Sequence, residues 1–115
     1  MFELQWTEQG AADYDQLRQQ ATQAVENRKR KKGAKSTKAE GLFKQVFKAL
    51  TLLQSNPKHP GLQTHEYSSI PNPYDPKKKV FEAYVQNNTP GAHRVFWCYG
   101  PKAKEITIIA ITPHP

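Results

Sequence analysis

The stretch that decides the fold is His93-Arg-Val-Phe-Trp-Cys-Tyr99, then Gly100-Pro-Lys-Ala-Lys104, then Glu105-Ile-Thr-Ile-Ile-Ala-Ile-Thr112. The first seven residues are rich in aromatic and β-branched side chains and apolar on both alternating sides. That is the pattern of a strand with both faces covered. Gly-Pro is turn chemistry, and Glu105 to Thr112 reads as a second strand. Upstream, Val80 to Gln86 alternates Phe81, Ala83 and Val85 with Val80, Glu82, Tyr84 and Gln86. The residues Asn87 to Ala92 between the two runs supply Asn, Pro and Gly for a turn. Three strands joined by short turns predict an antiparallel meander.

The same periodicities run out to the N-terminus. Phe2, Leu4 and Trp6 alternate with Glu3, Gln5 and Thr7, which predicts a half-buried strand. Thr7 or Glu8 then opens a helix with Ala11, Tyr14, Leu17, Ala21, Ala24 and Val25 on one stripe. Gly33 breaks it. Thr37 and Glu40 stand at capping-box spacing, and a second helix follows with Leu42, Phe43, Val46, Phe47, Leu50 and Leu53 on its buried face. Asn56-Pro57 ends it. Five prolines between 57 and 76 predict a loop with at most one strand, near Leu62 to Ser68. Trp6 and Trp97 read as core. The expected architecture is α+β: an N-terminal strand and an antiparallel helical hairpin packed on one face of a twisted, mainly antiparallel sheet.

The chain has 115 residues, which predicts one domain over 1–115. One cysteine, Cys98, excludes an internal disulfide framework and a multi-cysteine zinc site, and reads as a small buried hydrophobe. No apolar run is long enough to span a bilayer, and MFELQWTEQG lacks the pattern of a secretion signal. A cytoplasmic protein without membrane partners is expected. The net charge is +7. Seven basic residues and no acidic one lie between Arg28 and Lys38, while the other ten Lys and Arg offset the ten Asp and Glu. The whole excess therefore sits in one stretch, which serves either as a polyanion-binding patch or as a solvated loop.

Strand parity then picks out chemistry. Arg94 shares a side with Phe96 and Cys98, opposite Val95, Trp97 and Tyr99. The Val-Trp-Tyr side suits helix packing, which leaves Arg94 on an open face. Glu82 and Tyr84 have the parity for that face. Ala110, Thr112 and His114 share another, opposite Ile109 and Ile111. An arginine, a carboxylate and an imidazole converging across three strands provide what 2′-hydroxyl cleavage of RNA needs: a base, positive charge on the phosphorane, and an acid. Arg94 and Glu82 can equally form a plain cross-strand ion pair, and a histidine at 114 can be solvent-exposed decoration. His59 and His65 are too isolated to read as a metal pair.

Asn56-Pro-Lys-His-Pro-Gly-Leu62, His93-Arg-Val-Phe-Trp97 and Glu105-Ile-Thr-Ile-Ile-Ala-Ile111 with His114 beyond it resemble the RelE/ParE superfamily of toxins from bacterial toxin–antitoxin systems. The resemblance implies a metal-independent endoribonuclease with no cofactor, cutting messenger RNA at the ribosome and so inhibiting translation, and silenced by a cognate antitoxin. It implies that Arg94 contacts the scissile phosphate, that His114 is general acid or orienting group, and that the base is a Glu or a Lys, here Glu82 or Lys79. Lys77, Lys78, Tyr84 and the run Arg28, Lys29, Arg30, Lys31, Lys32 and Lys35 are the expected RNA contacts. The alternatives are a gyrase inhibitor of the ParE branch and a non-catalytic nucleic-acid-binding relative. The basic run and the proline-rich loop from Ser68 to Lys79 are both longer than the family pattern.

Overall fold

The computed structural model describes residues 1–31, 33–86 and 91–114. Strands β1 (Glu3–Trp6), β2 (His65–Glu66), β3 (Phe81–Tyr84), β4 (His93–Tyr99) and β5 (Glu105–Pro113) form one sheet in the order β1-β5-β4-β3-β2. β1 runs parallel to β5, and the other pairs are antiparallel. The central strand β4 is the run that reads as apolar on both sides, and Arg94 to Cys98 are all buried. The expected turn at Asn87 to Ala92 lies mostly outside the described residues.

Two helices, α1 (Glu8–Lys29) and α2 (Lys38–Ser55), cover one face. Leu17 from α1 and Val46, Ala49, Leu50 and Leu53 from α2 pack with Ala83, Val95, Trp97, Ile106, Ile108 and Ile111 from the sheet. Both helix starts are capped. Thr7 Oγ1 accepts from Gly10 N at 2.9 Å, and Thr37 and Glu40 complete the capping box. The Thr7 hydroxyl also donates to Ile109 O at 2.8 Å, and Ile111 N donates to Asp13 Oδ2 at 2.9 Å. These two residues at the start of α1 satisfy the edge of β5 beyond the point where β1 stops pairing with it.

Four local expectations are corrected. Ala11 is exposed, and Gly10 takes the buried position. A Cβ at Gly10 would collide with the Ile108 carbonyl oxygen, so the helix approaches β5 on a residue with no side chain. Phe47 is 58% exposed because the buried face of α2 runs through Val46, Ala49, Leu50 and Leu53. Trp6 sits at the rim of the sheet against Tyr14, with ring centroids 5.1 Å apart, rather than inside the core. Finally, Phe96 pairs with Ala110 but Trp97 pairs with Ile108, so Ile109 is an extra residue on β5. This bulge breaks the alternation and puts Ile109 beside Ala110 in the cluster on the other face.

That other face is not open. Val80, Phe96, Cys98 and Ile109 form a second core with Tyr67, Ile70 and Ala110. The segment from Tyr67 to Lys79 lies across it and is fastened by polar side chains. Tyr74 Oη bonds Thr107 Oγ1 at 2.8 Å, and the Thr107 hydroxyl donates to Gly100 O at 2.9 Å. Asn72, itself buried, donates to Lys79 O at 3.2 Å and accepts from Tyr74 N at 2.9 Å. Burial pushes the Cys98 thiol up to about 11, which suits a packing role.

Candidate active site

The site is assembled on this second face, at the end the covering loop leaves clear. Glu82 on β3 pairs in register with His65 on β2 and Phe96 on β4. Two residues along each strand, Tyr84 pairs with Arg94, and Arg94 with Thr112. His114 follows β5, and its backbone N–H donates to Ala92 O at 2.9 Å, which carries the chain past the start of β4. Four strands thus bring one residue set to one place.

Glu82 is at its centre. Its carboxylate is 1% exposed, and each oxygen has its own imidazole: His65 Nε2 at 2.6 Å from Oε1 and His114 Nδ1 at 2.5 Å from Oε2. The His65 and His114 side chains are 47% and 44% exposed. The solvent-facing groups are therefore the two rings, and the carboxylate beneath them orients both. Hydrogen-bond roles follow from the partners. His65 Nδ1 lies 3.1 Å from Gln63 O, which can only accept. His65 Nε2 faces Glu82 Oε1, so both ring nitrogens of His65 face an oxygen. His114 spends Nδ1 on Glu82, and its Nε2 has no bond among the described residues, which leaves it to give or take a proton.

Aromatic rings hold the imidazoles in place. His65 meets Tyr84 edge-on at 5.8 Å, and His114 meets Tyr67 edge-on at 6.2 Å. Arg94 is 2% exposed, with its guanidinium carbon 4.0 Å from the Tyr84 ring centroid and Nη1 donating to His93 O at 3.0 Å. The expected open hollow is thus a layered arrangement. Cation and carboxylate lie beneath, and Tyr84 and the two imidazoles lie above.

The remaining sequence candidates lie elsewhere. Lys79 is exposed and pairs with Glu66 at 2.8 Å. Bonding to that carboxylate raises its pKa, which opposes a role as base. Lys77 and Lys78 are exposed on the turn before β3. Arg28 pairs with the buried Glu40 through Nη2–Oε1 at 2.7 Å and Nε–Oε2 at 3.2 Å, so its guanidinium ties the end of α1 to the start of α2. That contact, with the Thr37 N–H second, holds the Glu40 carboxyl down at about 2. Lys29, Arg30, Lys31 and Lys35 are exposed at the hairpin tip, and Lys32 is outside the described residues. His59 is a turn residue whose Nδ1 accepts from Gly61 N. His65 is the site residue that sequence reasoning misses. Its one signal is His-Glu inside the predicted Leu62 to Ser68 strand. Among the described residues no group of three His, Cys, Asp or Glu is arranged to hold a metal ion, and no helix is long and apolar enough to cross a membrane.

Comparison with known proteins finds likeness in structure alone. No protein-family model matches the chain, and no curated protein matches it in sequence. Solved structures do match. A YoeB/ParE toxin from Agrobacterium tumefaciens superposes with a TM-score of 0.60 at 10% identity, covering 98% of this chain and 99% of that one. A metal-bound toxin from Helicobacter pylori gives 0.58 at 13% identity, covering 99% and 96%. A copper-bound point mutant of a toxin from the same organism gives 0.50 at 15% identity with the same coverage. The chain has the fold of the RelE/ParE-type toxins.

Proposed function

We propose that this protein is the toxin of a toxin–antitoxin pair and that it cleaves RNA through the ribose 2′-hydroxyl. The observation that carries the reading is the buried Glu82 carboxylate shared by two half-exposed imidazoles, with Arg94 on the same face one step along the strands. A buried carboxylate that fixes the tautomer of a surface histidine is the arrangement that proton-transfer chemistry requires. Both Glu82 oxygens are engaged, so Glu82 orients rather than abstracts. His114, with Nε2 left over, is the acid–base group. His65, on the other Glu82 oxygen, flanks the site. Arg94 adds a charge that cannot be lost and that stabilises the dianionic phosphorane. The 2′-hydroxyl gives its proton to His114 Nε2 and attacks the adjacent phosphorus, the bond to the 5′-oxygen breaks as that oxygen takes the proton back from His114, and the products are a 2′,3′-cyclic phosphate and a free 5′-hydroxyl. Lys77 and Lys78 hold the flanking backbone. Messenger RNA, engaged at the ribosome, is the substrate, and an acidic antitoxin suits the +7 charge.

The test is a defined RNA incubated with the purified protein. Cyclic phosphate ends should appear, and a single 2′-deoxy substitution at the cut should abolish that cut. Rapid arrest of protein synthesis on induction should accompany it. Induction of a DNA-damage response with intact RNA would replace this reading by the gyrase one.

A further inference from the structure

On the opposite face of the sheet, Phe81, Trp97 and Tyr99 form an aromatic group whose exposed member is Tyr99. Phe81 stacks on Trp97 with centroids 4.8 Å apart at 28°, and Tyr99 meets both edge-on, at 5.8 and 5.0 Å. Phe81, Trp97 and Tyr99 line a hollow of about 370 Å³ whose other wall is the Pro57–Thr64 turn, including Lys58 and His59. Tyr99 is 42% exposed. Trp97 is 1% exposed, and its indole N–H meets no acceptor among the described residues. Phe81 and Tyr99 are shared with a second hollow, whose remaining walls are Asn72, Lys77, Lys78 and Lys79. Flat aromatic walls with three lysines next door describe one class of ligand. A nucleobase offers a π-face and edge acceptors, and its phosphate is an anion.

We infer that this pair of hollows is a nucleotide-binding subsite, separate from the Glu82 cluster, in which a base lies against Tyr99 and Phe81 and its phosphate meets Lys77 and Lys78. The same lysines border the cleft beside Tyr67 on the Glu82 face. They stand at the corner where a single strand would pass from one face to the other. The subsite thus gives the proposed RNA substrate a second anchor outside the scissile step. It rests on that reading for its biological ligand but not for its measurement.

The experiment is a titration of the ¹⁵N-labelled protein with adenosine 5′-monophosphate, following the two indole N–H signals, with ribose 5-phosphate and free indole as comparison probes. The Trp97 signal should shift saturably with the nucleotide, in the millimolar range, while the Trp6 signal stays still. Tyr99→Ala should weaken binding about tenfold, and Lys77→Ala with Lys78→Ala should weaken it further at low salt. His114→Ala should leave it unchanged, which separates failure of the subsite from failure of the catalytic reading. An unmoved Trp97 signal overturns the proposal. So does an equal response to ribose 5-phosphate, which would mean phosphate attraction alone, and so does a response to indole but not to the nucleotide, which would point to a peptide side chain as the occupant.

Discussion

Two buried glutamates in this small protein have opposite kinds of company. Glu40, at the start of α2, is 5% exposed and takes a guanidinium from Arg28 and a backbone N–H from Thr37. Glu82, on β3, is 1% exposed and takes two imidazoles. Arginine never gives up its proton in a protein, so the first arrangement has one charge state and joins two helices. Imidazoles gain and lose protons near neutrality, so the second can change state during a reaction. Burial marks both carboxylates. What separates a structural pair from a reactive one is whether the partner can titrate and whether it reaches solvent.

The contrast is tested most severely at Glu82. Glu82→Gln keeps the size of the side chain but gives one imidazole a donor where it needs an acceptor. RNA cleavage should fall by about 10²–10⁴ while the circular dichroism spectrum remains that of the parent. His114→Ala should match it and add little in the double variant, because the two act as a unit. If Glu82→Gln merely unfolds the protein, and refolded or ligand-rescued material cleaves normally, Glu82 is a structural residue like Glu40. Arg94→Lys keeps a charge but loses the planar fork stacked on Tyr84, and should lie between the parent and Glu82→Gln in rate.

At Glu40 the effect should be on stability alone. Its folded carboxyl is held at about 2 against 4.5 as the ordinary value. A depressed carboxyl adds stability that is complete above the unfolded value and drains away as pH falls through the folded one. Melting temperature should therefore drop between pH 4.5 and about 2, and Glu40→Gln should flatten that limb of the curve. Its specific activity at neutral pH should equal the parent's. A cleavage defect in folded Glu40→Gln would mean that the hairpin tip belongs to the site. The smallest effect is reserved for Lys29, Arg30, Lys31 and Lys35. Changing all four to Ala should leave cleavage of a short RNA intact and reduce only the salt dependence of binding, by roughly one in slope for each phosphate that is no longer neutralised.

The strands that carry the candidate site are legible in the sequence because three consecutive β-runs pair with their sequence neighbours, so parity alone puts Glu82, Arg94 and His114 on one face. His65 is not legible in the same way. A two-residue edge strand has no alternation to read, and its partner on β3 is 17 residues away. The cover over that face is equally hidden, since the segment from Tyr67 to Lys79 is held by individual side chains such as Asn72 and Tyr74 rather than by any repeating pattern. Gly10 and Ile109 escape for a related reason. A helix resting on a bare backbone and a strand with one residue too many both break the period on which hydrophobic patterning depends.

The parallel pairing of β1 with β5 joins residues about a hundred positions apart, as the Gln5–Glu105 bond shows. A ribosome adding about 5–20 residues per second needs on the order of ten seconds to cover that interval. Throughout it the two helices can find each other, but the strand that should lie under them has not been made. The imidazole pair around Glu82 cannot assemble either. Newly made molecules therefore pass through intermediates whose apolar helix faces have no sheet to cover them before the fold completes.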